Sequence, residues 1–223
     1  MSGSVLVVVD LQNDFCDASA AARHGSDPAV LARAAGAAAG VVEQARAAGV
    51  EVVFVRFLGD VEHQGPSWRR RDRARGKRPK CVSGSGGAEF HGVVPGAGER
   101  VFTKYACFDA FLAEGFEPYL RERGVVRLVF AGVFTDVCVD STARTAFQKG
   151  FEVSVLTDCT TPLHLPEPLI LTFMERVYGA RLTTRADPEL WAACPSTEEE
   201  SSRPSLRPAG PVPVTSEWTP GSG

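Results

Sequence analysis

The sequence predicts a three-layer α/β/α domain in which helices cover both faces of a mostly parallel, six-stranded, doubly wound sheet. Its apolar pattern alternates between short β-branched runs and longer segments with helical periodicity. The first run, SVLVVVD, is apolar up to its terminal aspartate, as expected for a strand that is buried on both faces. Parallel strands need crossover connections, and the helical segments between the runs can supply them.

The elements can be assigned in chain order from these patterns. Six segments predict strands, and in order they are SVLVVVD, VEVVFVRF, RVFTK, VRLVFAGV, FEVSVLTD and ARLTT. Four segments predict helices: PAVLARAAGAAAGVVEQARAA, FDAFLAEGFEPYLRERG, DSTARTAFQKG and EPLILTFMERVYG. Gly49 is placed to cap the first helix and Gly124 to stop the second, which Gly115 and Pro118 interrupt or delay.

Two regions fall outside this alternation. Residues 58–98 form a long connection rich in Gly and Arg, and a connection of that length in a compact domain is usually functional or mobile. Residues 195–223 are rich in Pro, Ser and Glu, which predicts a disordered tail. The 223-residue chain therefore suits one domain over residues 1–194 followed by this tail.

Composition and charge restrict the class of protein. The chain is 44% hydrophobic and 23% charged with a net charge of −3, which gives no bias toward nucleic acid or an anionic membrane. The N-terminus lacks a basic region and its apolar run is broken by Asp10, so we expect neither a signal peptide nor a spanning helix. Six cysteines without CxxC pairs, in a chain with no export signal, predict reduced thiols and a cytoplasmic location.

Three reactive side chains follow predicted strands, at the edge where parallel sheets form their sites. Asp10 ends the first strand, Lys104 ends the third, and Cys138 follows the fourth where a helix begins. A lysine and a helix N-terminus favour a thiolate, and a partly buried Asp10 can move its proton. Backbone amides from Phe134 to Cys138 could hold an oxyanion. The trio predicts hydrolysis through a thioester-like intermediate, with a small-molecule substrate as the expected partner.

These residues lie in segments that resemble the motifs of the isochorismatase-like cysteine hydrolases. VVVDLQNDF, VFTKYACFDAF and AGVFTDVCVDSTARTAF are similar to the family's aspartate, lysine and cysteine segments, over roughly residues 4–190. The resemblance implies catalytic roles for Asp10, Lys104 and Cys138 and a cis peptide bond between Val133 and Phe134. It also implies a homo-oligomer, either a dimer or a tetramer.

Departures from the family pattern bear on the substrate. The segment RFLGDVEHQGPSW contains Asp60 and His63 but no second suitably spaced histidine, so we expect no catalytic metal and no cofactor. The resemblance therefore favours the carbamoyl and ureido amidohydrolase branch over nicotinamidases. Two alternatives stay open at this point: a vinyl-ether hydrolase of the isochorismatase type, and a non-catalytic family member used for binding.

The remaining site candidates are mostly aromatic. Phe15 is expected to form a pocket wall, and Phe108 and Phe134 either line the same pocket or pack in the core. Asp136 stands where a helix N-cap is needed, and capping is its predicted role. The four histidines are scattered, so we expect them to occupy surface or loop positions.

The basic cluster WRRRDRARGKRPK has two interpretations. It is either a solvated loop or a lid in which Trp68 and one of Arg69, Arg70 or Arg71 meet an anionic or planar substrate. We take Trp68 and Arg69 as its candidates for the substrate pocket.

Overall fold

The computed structural model describes residues 3–192. A single six-stranded sheet runs through this part of the chain in the order β3-β2-β1-β4-β5-β6, and every pair of neighbouring strands is parallel. The predicted α/β/α class and the six strands are confirmed. The predicted tail at residues 195–223 lies outside the described residues.

Helices follow or separate the strands in the alternation that the sequence predicts. The strands are β1 (Ser4–Val9), β2 (Glu51–Leu58), β3 (Arg100–Tyr105), β4 (Arg127–Val133), β5 (Glu152–Thr161) and β6 (Arg181–Thr183). The α-helices are α1 (Asn13–Cys16), α2 (Ala18–His24), α3 (Pro28–Ala47), α4 (Pro66–Ala74), α5 (Phe116–Glu122), α6 (Asp140–Gln148) and α7 (Glu167–Tyr178). No helix among residues 3–192 is both long and apolar enough to cross a membrane.

The central strand β1 explains why the sheet is covered on both faces. All six of its residues are buried. Because side chains alternate along a strand, Val5, Val7 and Val9 join one hydrophobic cluster, whereas Leu6 and Val8 join a second cluster on the other face. Burial of each such side chain contributes roughly 1.5–3 kcal/mol, so β1 anchors both layers of the core.

Strands β1 and β4 approach very closely where the site begins. Gly132 in β4 has φ +114°, and a Cβ at this position would lie 2.0 Å from the carbonyl oxygen of Val9. Only glycine permits this approach, since any side chain would collide with the β1 main chain. The close pairing brings the segments that follow the two strands, and with them Asp10 and Cys138, to the same edge of the sheet.

The structure corrects the predicted local structure in two regions. The connection over residues 58–98 contains the nine-residue helix α4 and short 3₁₀ turns at Val61–His63 and Gly86–Ala88. The segment predicted as one long helix before Gly124 is a 3₁₀ turn at Ala110–Leu112 followed by the shorter α5, because Gly115 adopts a left-handed conformation between them. The short helices α1 and α2 have no counterpart among the predicted elements.

Candidate active site

Asp10 is the first component of the site and lies directly after β1. The residue has a positive φ of 52°, its amide donates to the carbonyl of Val55 (2.9 Å), and its side chain is almost completely buried. A left-handed backbone is unusual for a residue other than glycine or asparagine and occurs preferentially at functional sites. The left-handed conformation of Asp10 therefore indicates a functional role for its carboxylate.

Lys104 reaches the same point from the neighbouring side of the sheet. It lies on the edge strand β3, yet its side chain is completely buried. Its ammonium donates to Oδ2 of Asp10 (2.6 Å), to the carbonyl of Phe108 (3.1 Å) and to that of Cys107 (3.4 Å). All three N–H donors of the ammonium thus have acceptors, which is what a buried lysine requires.

Cys138 lies in a single π-helical turn, Thr135–Val139, between β4 and α6. Its own carbonyl accepts a hydrogen bond from the hydroxyl of Thr142 (2.8 Å), and its thiol interacts with both the Asp10 carboxylate and the Lys104 ammonium. The structure therefore brings together the three side chains that the sequence singles out. The catalytic roles assigned to them remain predictions at this stage.

Burial dominates the electrostatics of this trio. It raises the pKa of the Asp10 carboxyl, although the Lys104 ammonium opposes the rise. It also raises the pKa of the Cys138 thiol, again against Lys104, while the Asp10 charge adds to the rise. For Lys104, burial lowers the pKa, but the interactions with Asp10 and Cys138 more than compensate, and the net shift is upward.

The upward shift in the pKa of Cys138 favours the thiol over the thiolate before substrate binds, even with Lys104 nearby. The second carboxylate oxygen of Asp10, Oδ1, is buried and accepts no hydrogen bond from the described residues. A buried acceptor without a donor is costly and calls for an explanation. The Asp10 carboxylate interacts with the Cys138 thiol, and a carboxylate in that position can act as a general base.

The oxyanion-hole prediction concerns the turn that carries Cys138. The peptide bond between Val133 and Phe134 is cis, at the position that the family resemblance implies. The amides of Val137 and Val139 both donate to the carbonyl of Phe134, so those two donors are already used. The predicted donors are the amides of Phe134 and Cys138, and their role stays a prediction.

A cavity of about 360 Å³ opens onto Asp10 and Cys138. This volume suits a small molecule. The predicted wall residues Phe15, Trp68, Phe108 and Phe134 all line it, together with Phe57. Their rings are mutually packed: Phe15 contacts Phe57 and Phe134, and Trp68 contacts Phe57 and Phe108, with ring centroids 4.9–6.2 Å apart.

The prediction that Arg69 lines the pocket is wrong, because α4 directs Arg71 into the cavity instead. Arg69 is exposed on the helix and is absent from the lining. Trp68 and Arg71, which both line the cavity, are spaced i and i+3 and therefore share one face of α4, and Arg75, directly after the helix, also lines the cavity. That spacing is visible in the sequence once the segment is treated as a helix rather than a loop.

Asp136 does not cap a helix, contrary to the prediction. Its carboxylate accepts hydrogen bonds from the amides of Leu163, His164 and Leu165, at 2.7–2.8 Å. No side-chain cap bond is found at the start of either the π turn or α6. Asp136 thus ties the loop after β5 to the turn that carries Cys138, and Leu163 and His164 of that loop line the cavity.

Asp60 and His63 do not offer the donor set of a metal centre. The carboxylate of Asp60 is occupied by the amide and hydroxyl of Ser83 (2.9–3.2 Å), and the ring of His63 packs on Tyr105 with centroids 4.3 Å apart. Within residues 3–192, no three His, Cys, Asp or Glu side chains are grouped to hold a metal ion. These residues do not fit a metal, and no step is derived through one.

Gln12 fastens the site to the rest of the fold. Its buried side-chain amide donates to the carbonyls of Phe57 and Ala88 (both 2.9 Å), and its oxygen accepts from the Phe57 amide (2.7 Å). It therefore links the turn after β1 with β2 and with the long connection.

The fold and the site define the class: an α/β/α domain with a buried carboxylate, ammonium and thiol at the carboxyl edge of a parallel sheet. The sequence profile of the isochorismatase domain matches residues 4–187, and the chain belongs to that family. The family resemblance stated from the motifs is thereby confirmed.

Relatives with known activities are amidohydrolases. The chain is 34% identical over 169 residues to a nicotinamidase/pyrazinamidase of Mycobacterium tuberculosis (70% of this chain, 84% of the relative). It is 33% identical over 172 residues to the ureidoacrylate amidohydrolase RutB of Azorhizobium caulinodans (70% and 75%). The family and these relatives make the chain a hydrolase.

Solved structures agree with this assignment. N-carbamoylsarcosine amidase from Thermoplasma acidophilum superposes with a TM-score of 0.68 at 25% identity, covering 83% of this chain and 98% of that one. A pyrazinamidase of Pyrococcus horikoshii, solved in complex with zinc, gives a TM-score of 0.68 at 26% identity, covering 82% and 99%.

Proposed function

We propose that the protein is a metal-independent cysteine hydrolase that cleaves a C–N bond of a small amide, carbamoyl or ureido compound. The observation that carries the proposal is the buried Lys104–Asp10 ion pair at the cavity, with the Cys138 thiol in contact with both groups. A buried ion pair contributes little net stability to the fold, because the cost of desolvating the two charges offsets much of their attraction. A chemical role therefore explains the Lys104–Asp10 pair better than a structural one.

In the first half-reaction, Sγ of Cys138 attacks the carbonyl carbon while Asp10 takes the thiol proton. The C–N bond then breaks, Asp10 delivers that proton to the departing nitrogen, and an acyl or carbamoyl thioester remains on Cys138. In the second half-reaction, water attacks the thioester carbonyl and gives a proton to Asp10. The C–S bond breaks, the proton returns to sulfur, and an acid leaves.

Lys104 stays protonated throughout and stabilises whichever of its two partners carries the negative charge. Burial supports the role of Asp10, because a carboxyl whose pKa is raised from its ordinary value near 3.9 matches a base that works around neutral pH. The donor set at Asp60 and His63 supports independence from a metal.

The test combines turnover with trapping of the intermediate. A panel of amides, ureas and N-carbamoyl amino acids is assayed for ammonia release with wild type, Cys138→Ala and Cys138→Ser. We expect both variants to lose at least about a thousandfold in kcat/KM, and wild type to show a mass increase equal to the acyl group on the peptide that contains Cys138.

Cys107→Ala is the matched control. Its thiol lies beside Lys104 but outside the cavity lining, and the contact with Lys104 is made by its backbone carbonyl, which the substitution keeps. It should retain activity. Activity in Cys138→Ala, or turnover of a vinyl ether without any covalent adduct, would instead assign the site to acid catalysis by Asp10.

A further inference from the structure

One stretch of the chain makes a wall of the cavity strongly basic. Residues 71–80 contribute five cationic side chains to the lining: Arg71, Arg75, Lys77, Arg78 and Lys80. The side chains of Arg75, Lys77 and Arg78 make no hydrogen bond or ion pair with any residue in the described range. This wall therefore carries positive charge that the surrounding protein does not neutralise.

The acidic residues of the lining do not offset it. Asp10 is paired with Lys104, and Asp136, whose carboxylate accepts from three backbone amides, adds one negative charge against the five cations. Asp72 is paired with Arg71, whose Nε and Nη2 both donate to Oδ1 of Asp72 (2.9 and 2.7 Å). The net potential that an incoming molecule meets is thus positive.

Arg71 differs from the other basic residues because its guanidinium is fixed. It is half-buried, its Cζ lies 4.2 Å from the centre of the Trp68 ring, and the salt bridge to Asp72 holds its inner edge. Nη1 makes no hydrogen bond to a described residue, and Nη2 uses only one of its two N–H groups, so one N–H of each nitrogen remains as a parallel pair on a residue that lines the cavity. A fixed guanidinium loses little freedom on binding and matches the two oxygens of a carboxylate.

We propose that the substrate carries a carboxylate as well as the scissile C–N bond, and that Arg71 binds this carboxylate against Trp68. The inference rests on the proposed function, since it places the reacting carbonyl at Cys138 and the anionic end of the same molecule at the basic wall. Arg75, Lys77 and Arg78, exposed at the rim, add attraction at longer range that salt screens.

Two alkylating reagents of nearly equal size test the charge preference without knowledge of the substrate. Iodoacetate carries a carboxylate and iodoacetamide is neutral, and both react with thiols by displacement of iodide. The rate of alkylation of Cys138 by each reagent is followed by peptide mass spectrometry, which separates Cys138 from the other cysteines. The ratio of the two rates cancels any change in access to the thiol.

Arg71→Met should lower the iodoacetate-to-iodoacetamide ratio roughly five- to tenfold relative to wild type, the loss expected for one charge-assisted contact. Arg69→Met is the matched control, because it removes the same charge from the same helix at a position outside the lining. Its ratio should stay within about twofold of wild type, as for a screened surface charge. Arg71→Lys, which keeps the charge but loses the planar fork, should fall between them.

The outcomes separate this inference from the function on which it rests. A Cys138 that reacts readily with both reagents, at a ratio that is the same in wild type, Arg71→Met and Arg69→Met, overturns carboxylate binding by Arg71 and leaves the nucleophile intact. A Cys138 that reacts with neither reagent overturns the proposed nucleophile itself. If the iodoacetate-to-iodoacetamide ratio falls equally in Arg71→Met and Arg69→Met, the preference comes from the overall positive charge of α4 and not from a contact with Arg71. That result would also refute the inference.

Discussion

Replacing Lys104 by methionine removes the ammonium but keeps most of the buried side-chain volume. In wild type that ammonium donates to Oδ2 of Asp10, and the pair is sealed from solvent, with side-chain exposures of 0% and 1%. Loss of one partner leaves an uncompensated carboxylate in the interior, which typically costs about 3–5 kcal/mol. Lys104→Met should therefore lower the free energy of unfolding by about this amount at pH 7–8.

The destabilisation should grow with pH, and its sign follows from the pKa of Asp10. Burial raises this pKa in wild type, and removal of the opposing ammonium raises it further in the variant. Between the Asp10 pKa of folded wild type and the higher Asp10 pKa of the folded variant, the native variant keeps a proton that native wild type has lost. The free energy of unfolding of the variant relative to wild type therefore falls as pH rises. The difference should increase by up to roughly 1.4 kcal/mol per pH unit across that interval and be small at lower pH.

Urea denaturation followed by circular dichroism at pH 5, 7 and 8.5 measures this difference. Lys149→Met is the matched control, since Lys149 pairs with Glu117 at 2.5 Å on a half-exposed surface. A surface pair is worth at most about 1 kcal/mol, and its removal should show little pH dependence in this range. A Lys104→Met protein as stable as the control variant at pH 7, or equally destabilised at all three pH values, would refute the buried charge pair.

Four further predictions concern the site and its frame. Asp136→Ala should release the loop after β5 and lower kcat/KM about tenfold with a larger effect on KM than on kcat, measured by steady-state kinetics once a substrate is found. Gly132→Ala should prevent folding or cost more than about 4 kcal/mol in a denaturation experiment, because its Cβ meets the adjacent strand, whereas the helical and unobstructed Gly36→Ala should stabilise by about 0.5–1 kcal/mol. Tyr178→Phe, which removes a buried hydrogen bond to Asp140, should lower the free energy of unfolding by about 1–2 kcal/mol in urea. The acidic limb of the kcat/KM–pH profile should lie above pH 4, since burial raises the pKa of Asp10, and a limb at or below pH 4 would contradict its role as the base.

The parts of the fold that the sequence predicts are those governed by local pattern. The apolar run of β1 and the alanine-rich α3 have strong periodicity, and Asp10 at the end of β1 stands out because a charge rarely follows such a run. Parallel topology then places the ends of neighbouring strands at one edge. From these rules alone, Asp10, Lys104 and Cys138 could be expected to meet.

The errors arise where contacts distant in sequence decide the structure. Asp136 has the right residue type and position for an N-cap, but amides 27 to 29 residues away use its carboxylate, and nothing local indicates this. Helix α4 is missed because its polar composition resembles a loop, although its buried face is marked by Trp68 and Asp72. The pattern does not separate Arg69 from Arg71 for the same reason, since only a helix distinguishes between the two.

The electrostatics of the trio indicate how a protonated thiol can act as a nucleophile. Burial opposes a site with two negative charges, and it raises the pKa of both Asp10 and Cys138. The single ammonium of Lys104, which interacts with both Asp10 and Cys138, can compensate only one negative charge. We therefore expect Asp10 and Cys138 to hold one proton between them beside the Lys104 ammonium.

Transfer of that proton from Cys138 to the free Oδ1 of Asp10 moves the negative charge without changing the net charge of the cavity. Each of the two states, thiol with carboxylate and thiolate with carboxylic acid, holds one buried negative charge. The cost of desolvating that charge is therefore similar in both states and largely cancels from the free-energy difference between them. Lys104 contacts both partners and stabilises either form. The thiolate is thus reached by exchange within the trio, and Cys138 should alkylate at a rate that levels off once the pH exceeds the pKa of Asp10. A rate that instead rises tenfold per pH unit up to pH 9 would show an ordinary isolated thiol.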